Sequence, residues 1–181
     1  MSLPALLDDG AARHLQRGRR MPDIVLPTTA GGSVSFAKLS GRVVVYCYPW
    51  TGQPGQPNPP DWDDIPGAHG STPEAEGFRD LHAGFRQLGV AVYGLSTQPT
   101  SYQQELVRRL ALPFALASDA DFAFAHALAL PTFMTGGVTY LKRLTLGLKD
   151  GRIDRVYYPV PLPAAHAREV CAWLGMSHRP E

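Results

Sequence analysis

Apolar residues run without interruption from Val43 to Tyr48, bounded by Gly41 and Pro49, so residues 42–48 predict a strand buried on both faces. Residues 90–96 repeat the pattern. Between them Phe78, Leu81, Phe85 and Leu88 recur at steps of three and four, one stripe of a helix over residues 73–88. Ser71 followed by Glu74 has capping-box spacing, and Pro73 suits a first turn. Downstream, Leu106 and Leu110 share a face of a helix over residues 101–110, with Arg108 and Arg109 turned outward. A short strand over 114–119, a small helix over 120–128 and an irregular stretch over 130–137 follow. Strands over 140–148 and 153–158 join through Asp150-Gly151, a hairpin signal. An amphipathic helix over 163–174 turns Ala167, Val170 and Trp173 inward. Upstream, residues 1–19 read as a weakly helical arm, and segments 23–27 and 33–36 flank Gly31-Gly32 as a hairpin.

This order predicts one α/β domain over residues 20–175, with the arm before it and a tail over 176–181. Strand, helix, strand with a right-handed crossover, then a βα insertion, a terminal hairpin and a last helix, make a thioredoxin-like sandwich. Its central mixed sheet is flanked by helices and carries the early hairpin as an extension. A flavodoxin-like sheet shares the alternation, but doubly wound sheets rarely end in an antiparallel hairpin.

Composition narrows the class. At 181 residues the chain can bury a substantial core, and a net charge of +1 gives no basic stripe for nucleic acid. No apolar run is long enough to span a membrane and no signal pattern opens the chain, so a cytoplasmic location is expected. Two cysteines, Cys47 and Cys171, suit a reducing compartment. Many of the 17 prolines and 18 glycines fall between residues 49 and 73, marking one long connection placed to cover a site. Its Asp61, Asp63 and Asp64 lack the pattern of a calcium loop and read as a solvated turn. His14, His69, His82, His126, His166 and His178 show no metal spacing and read mostly as surface residues; no metal or cofactor is expected. His69-Gly70-Ser71-Thr72-Pro73 is not a hydrolase elbow, and no Cys-x-x-Cys occurs.

Chemistry concentrates where the central strand gives way to the first long helix. Free amides and the positive helix end there face residue 71, an anion site that would lower a cysteine's pKa. Gly70-Ser71-Thr72-Pro73-Glu74-Ala75-Glu76-Gly77-Phe78-Arg79-Asp80 resembles the Gly-Cys-Thr-x-Glu-x-x-x-Phe-Arg-Asp run of peroxiredoxins, in their bacterioferritin-comigratory or Q-type group and a redoxin-like bacterial branch. Pro22 to Gly31 matches that family's opening Pro-Asp-x-x-Leu-Pro-x-x-x-Gly, and the likeness extends over residues 20–175. It implies a thiol-dependent peroxidase acting on hydrogen peroxide and organic hydroperoxides, with the attacking cysteine at position 71. Serine stands there, the isosteric replacement that freezes a reactive thiol. An engineered Cys→Ser form, inactive as written, is the first expectation. A natural lineage that lost its nucleophile and serves as a thioredoxin-fold binding module is the alternative.

The resemblance assigns further roles. Arg143 takes the place of the family's arginine beside the cysteine, and alternation with Lys142 lets it face inward. Thr72, Glu74 and Gly70 match the cysteine's neighbours, with Glu74 expected to hold the network around Arg143, and Pro49 matches the shielding proline after the central strand. Glu74 and Thr72 can also act as helix caps, and Pro49 as a strand terminator. Ala68 stands where a peroxide-contacting threonine is usual, leaving His69, Thr72 or Thr51 to replace it. Glu76 stands where Q-type members often carry a resolving cysteine. The implied cycle therefore uses one cysteine and an external reductant, either thioredoxin, glutaredoxin or a small thiol. Cys47 and Cys171 read as structural, with resolving roles as the weaker option, and Cys47 as sole nucleophile weaker still. Family members occur as monomers and as homodimers.

Overall fold

A computed structural model of the chain describes residues 6–177, with side chains as far as Gly175. Residues 6–19 form turns where the sequence predicted weak helix. The Asp8 and Asp9 carboxylates accept from the amides of Gly10 and Ala11 (2.8 and 3.0 Å), local bonds that compete with a helical backbone. Residues 1–5 of the arm and 178–181 of the tail lie outside the described part, and the last helix continues into the expected tail.

The early hairpin pairs β1 (Leu26–Pro27) with β2 (Ser33–Val34). The core sheet then assembles from β3 (Arg42–Cys47), β4 (Val90–Ser96), β5 (Leu116–Ser118), β8 (Leu144–Lys149) and β9 (Arg152–Tyr157), in the order β5-β4-β3-β8-β9. β3, β4 and β5 run parallel, β8 is antiparallel to β3, and β9 to β8. This is the thioredoxin-like arrangement that the element order predicted. Helices α1 (Ser71–Asp80), α2 (His82–Gln87), α3 (Thr100–Leu110), α4 (Ala123–Leu128) and α5 (Pro163–Ser177) flank the sheet.

The central strand is apolar throughout because it faces two cores. Val43, Val45 and Cys47 enter a core with Leu15, Met21, Phe36 and Phe124, from the amino-terminal segment and α4. Val44, Tyr46 and Tyr48 enter the other with Phe78, Phe85, Leu106 and Val170, from α1, α2, α3 and α5. Tyr46 stacks on Phe78 with ring centroids 4.5 Å apart.

Three elements differ from the sequence pattern. The helix expected over 73–88 breaks at Leu81 (ψ 5°), between the weak helix formers Gly77 and Gly84. Gly77 lets α5 approach closely, since a side chain there would begin 3.5 Å from the Ala167 methyl. The stretch expected to be irregular over 130–137 belongs instead to a hairpin, β6 (Thr132–Thr135) with β7 (Val138–Leu141), turning at Gly136-Gly137. Lys142 and Arg143 then interrupt what the sequence suggested was one strand from 140 to 148.

The β6–β7 hairpin orders the long connection. Trp62 packs against Trp50, Phe133 and Tyr140 (centroids 5.5, 5.7 and 5.2 Å), and the Thr135 hydroxyl donates to the Pro60 carbonyl (2.6 Å). Thr51 is fastened at the loop's start, where its amide and the Gln98 side chain exchange hydrogen bonds of 3.1 Å. The amino-terminal segment reaches both borders of the sheet, with bridges at Arg20–Arg152 and Thr28–Ala117.

Candidate active site

Gly70 caps α1 with φ +110°, and a side chain on it would begin 2.7 Å from the Pro163 ring. Only glycine fits both constraints. Ser71 is therefore the first helical residue, not the cap, and no side chain caps the helix. The capping-box reading of Ser71 and Glu74 is thus replaced: both side chains serve Arg143. The amides of Ser71 and Thr72 remain first-turn donors without intrahelical acceptors.

Arg143 is the centre of the site. Its Nη1 donates to Glu74 Oε1 at 2.9 Å, and its Nη2 donates to Ser71 Oγ at 3.1 Å. Nη2 also lies within 3.4 Å of the Gly67, Ala68 and His69 carbonyls. Ser71, Glu74 and Arg143 are all buried, at 5%, 0% and 4% exposure. Lys142, outside the strands like Arg143, stays more exposed and pairs with Asp9 at 2.8 Å. A guanidinium pulled between a carboxylate and three carbonyls is held in place, so it meets residue 71 as a fixed charge. Burial pushes the Glu74 carboxyl up to about 7, against the downward pull of Arg143. Glu74 Oε2 and Arg143 Nε have no hydrogen-bond partner among the described residues.

The other expected residues distribute unevenly. Thr72 is half-buried beside Ser71, and Pro49 is buried just past β3. Ala68 is buried and contributes only its carbonyl, while His69 is exposed and bonds Asp63 at 2.6 Å. Thr51 is engaged by Gln98. Cys47 points into the core on the far side of the sheet from Phe78 of α1, and burial pushes its thiol far up. Cys171 packs on α2, its sulfur 3.6 Å from where a Gly84 side chain would begin, and burial raises it too. Both cysteines are free.

His166 corrects the surface reading of the histidines. It is 1% exposed, bonds the Thr145 hydroxyl at 2.8 Å, and packs edge-on to Phe78 and Tyr157. Burial lowers its pKa. The signal was present: His166, Val170 and Leu174 recur at steps of four on the buried side of α5. Among the described residues, no helix is long and apolar enough to cross a membrane.

The chain resembles known proteins in sequence and in fold. The chain is 34% identical over 108 residues to a putative peroxiredoxin bcp of Coxiella burnetii, a match covering 59% of this chain and 62% of that protein. The peroxidoxin BcpB of Mycobacterium tuberculosis superposes with TM-score 0.74 at 25% identity, over 92% of this chain and all (100%) of that one. The bacterioferritin comigratory protein of Xanthomonas campestris, described for alkyl peroxide reduction, superposes at TM-score 0.72 and 23% identity, over 91% of this chain and 100% of that one. The redoxin family pattern covers residues 16–169, so the chain belongs to that family.

Proposed function

We propose that this fold carries out thiol-dependent peroxide reduction through residue 71, and that the Ser71 chain keeps the site without the turnover. The observation that supports it most is the 3.1 Å contact between the fixed Arg143 guanidinium and Ser71 Oγ at the start of α1. A cysteine in that place would be a thiolate at neutral pH, stabilised by the guanidinium and the helix amides. The thiolate attacks the terminal oxygen of the hydroperoxide, the O–O bond breaks, and the leaving oxygen takes a proton to become the alcohol or water. Arg143 and the Ser71 and Thr72 amides face the oxygen on which charge develops. The sulfur, now a sulfenic acid, condenses with one external thiol to release water, and a second thiol frees the cysteine as the external disulfide forms. A serine hydroxyl neither ionises there nor cycles through such an acid. Glu76 occupies the helical resolving position and Cys47 and Cys171 are packed elsewhere, which favours thioredoxin, glutaredoxin or a small cytoplasmic thiol as reductant.

The test is Ser71→Cys, assayed for hydroperoxide-dependent oxidation of thioredoxin, glutaredoxin and dithiothreitol. Turnover in the variant and none in the Ser71 chain is expected, as is alkylation of the new thiol at a pH below the ordinary thiol value of about 8.5. An inert variant with all three reductants overturns the proposal. One observation favours a second reading, a binding module of this fold. Positions 71 and 76 both lack cysteine, and glutamate is no isostere of it, so a single engineered freeze does not account for the pair. An inert Ser71→Cys variant, together with tight partner binding by the Ser71 chain, would select that reading.

A further inference from the structure

Thr145 lies inside the sheet, paired with Tyr46 of β3 on one side and Tyr157 of β9 on the other, two residues past Arg143. Its hydroxyl is buried and meets His166 Nε2 at 2.8 Å. His166 belongs to the first turn of α5, so this hydrogen bond ties the helix to the strand that Arg143 leads into. Apolar packing is non-directional and lets a helix settle over a range of heights above a sheet. A buried hydrogen bond has one favourable length and is costly to leave unmade.

The same turn of α5 supports α1. Pro163, three residues before His166, fills the space beside Gly70, the cap directly ahead of Ser71. The His166 ring packs edge-on to Phe78 of α1 at 6.0 Å. The Ala164 carbonyl and the Ala167 methyl lie 3.4 and 3.5 Å from where a Gly77 side chain would begin. Held at residues 70, 77 and 78, α1 follows whatever seat α5 takes on the sheet. Ser71 Oγ must reach Arg143 Nη2, at 3.1 Å, from that seat. Tyr157 of β9 lies 5.2 Å from the ring, and Glu169 of α5 is 3.4 Å from Nδ1. Burial, joined by the charge of Arg143, lowers the pKa of His166, so the ring meets Thr145 uncharged at neutral pH.

We infer that His166 is a positioning residue for residue 71: its hydrogen bond to Thr145 seats α5 on the sheet, and α5, through Pro163 and Phe78, sets the start of α1 against Arg143. Its consequence for turnover rests on the peroxidase reading of residue 71. The observations that carry it are the buried His166–Thr145 bond, the Pro163 ring against Gly70, and the edge-on packing of His166 on Phe78. His166 touches no reacting atom and acts through the aim of the helix.

The test is made in the Ser71→Cys background, with the thiol pKa read from the pH dependence of alkylation. Thr145→Val keeps the shape of the side chain without its hydroxyl, and His166→Leu removes the other partner. Each is expected to raise the thiol pKa by about one unit. Below that pKa, kcat/KM for hydrogen peroxide should fall about tenfold with the thiolate fraction, while kcat/KM for the reducing thiol stays as it was. His166→Gln, whose amide nitrogen can still reach Thr145 Oγ, should keep both near the parent values. Should Thr145→Val and His166→Leu fail to fold, Pro163→Ala, at a half-buried position, has the same expected outcome. An unmoved thiol pKa in the variants that fold overturns the inference and leaves the peroxidase reading intact. So does a parent thiol already at the ordinary value of about 8.5, which leaves no tuning for His166 to set. If Ser71→Cys turns over no peroxide, the peroxidase reading falls and the alkylation series alone decides the role of His166.

Discussion

Glu74 and Arg143 bring opposite charges into a place that water does not reach, and each makes the other tolerable. Removing the guanidinium strands a carboxylate, so Arg143→Ala should destabilise the fold by about 3–5 kcal/mol in urea unfolding, far more than an exposed ion pair would. A loss under about 1 kcal/mol would mean that the pair is not the buried unit described. The carboxyl itself has a sign that can be checked. Its folded pKa lies near 7 and its ordinary value at 4.5, so between those pH values the native state keeps a proton that the unfolded chain has released. Glu74 therefore costs stability progressively as pH rises through that window, with the full cost present above it. The stability of the natural chain relative to Glu74→Gln should fall from pH 4.5 to 7. A difference that rises across the window would show that Arg143, not burial, governs the carboxyl. Much of this pair was legible in advance: a lone arginine in an apolar stretch needs an anionic partner. That Glu74 would hold the network around Arg143 followed from the family resemblance; that it would forgo its cap to do so was not legible.

At the scale of the element, α1 begins where it does because of α5. Pro163, the first residue of α5, fills the space that a side chain on Gly70 would need, and Gly70 itself sits in the left-handed region. Gly70→Ala should cost about 1–3 kcal/mol from the backbone alone and displace either Pro163 or the first turn. In the Ser71→Cys background it should raise the thiol pKa, read from the pH dependence of alkylation, because the amides no longer aim at the sulfur. An unmoved thiol pKa would place the tuning in Arg143. The sequence carried the helix, its apolar stripe and its approximate start. It could not show the cap, because Ser71-x-x-Glu74 satisfies a local rule that a remote arginine overrides. For the same reason β6 read as irregular, since its pairing with β7 is stabilised by Trp62 and Pro60 from a distant loop.

At the scale of the whole molecule, the alternating strands and helices made the fold readable, since an unbroken apolar strand needs two covered faces. Less readable was how a Pro-rich connection of some twenty residues stays in place. Trp62, 4% exposed and ringed by Trp50, Phe133 and Tyr140, is the pin. Trp62→Ala should cost about 3–5 kcal/mol and speed amide exchange in residues 52–69 more than in the sheet. Uniform exchange changes would show the loop to be held elsewhere. The two bridges made by the segment that includes Arg20 and Thr28 have a wider consequence. β5 and β9 are the outermost strands, where peptide groups left unpaired could recruit a neighbouring molecule; here the amide of Gly18 and the carbonyl of Arg19 bond Ile153 of β9, and the Thr29 amide bonds the Leu116 carbonyl of β5. One length of chain, running from one margin to the other, screens both. A protein trimmed past residue 32 would lose that girdle on two flanks at once, and self-association through bare strands, visible as growing light scattering, should set in before the interior comes apart.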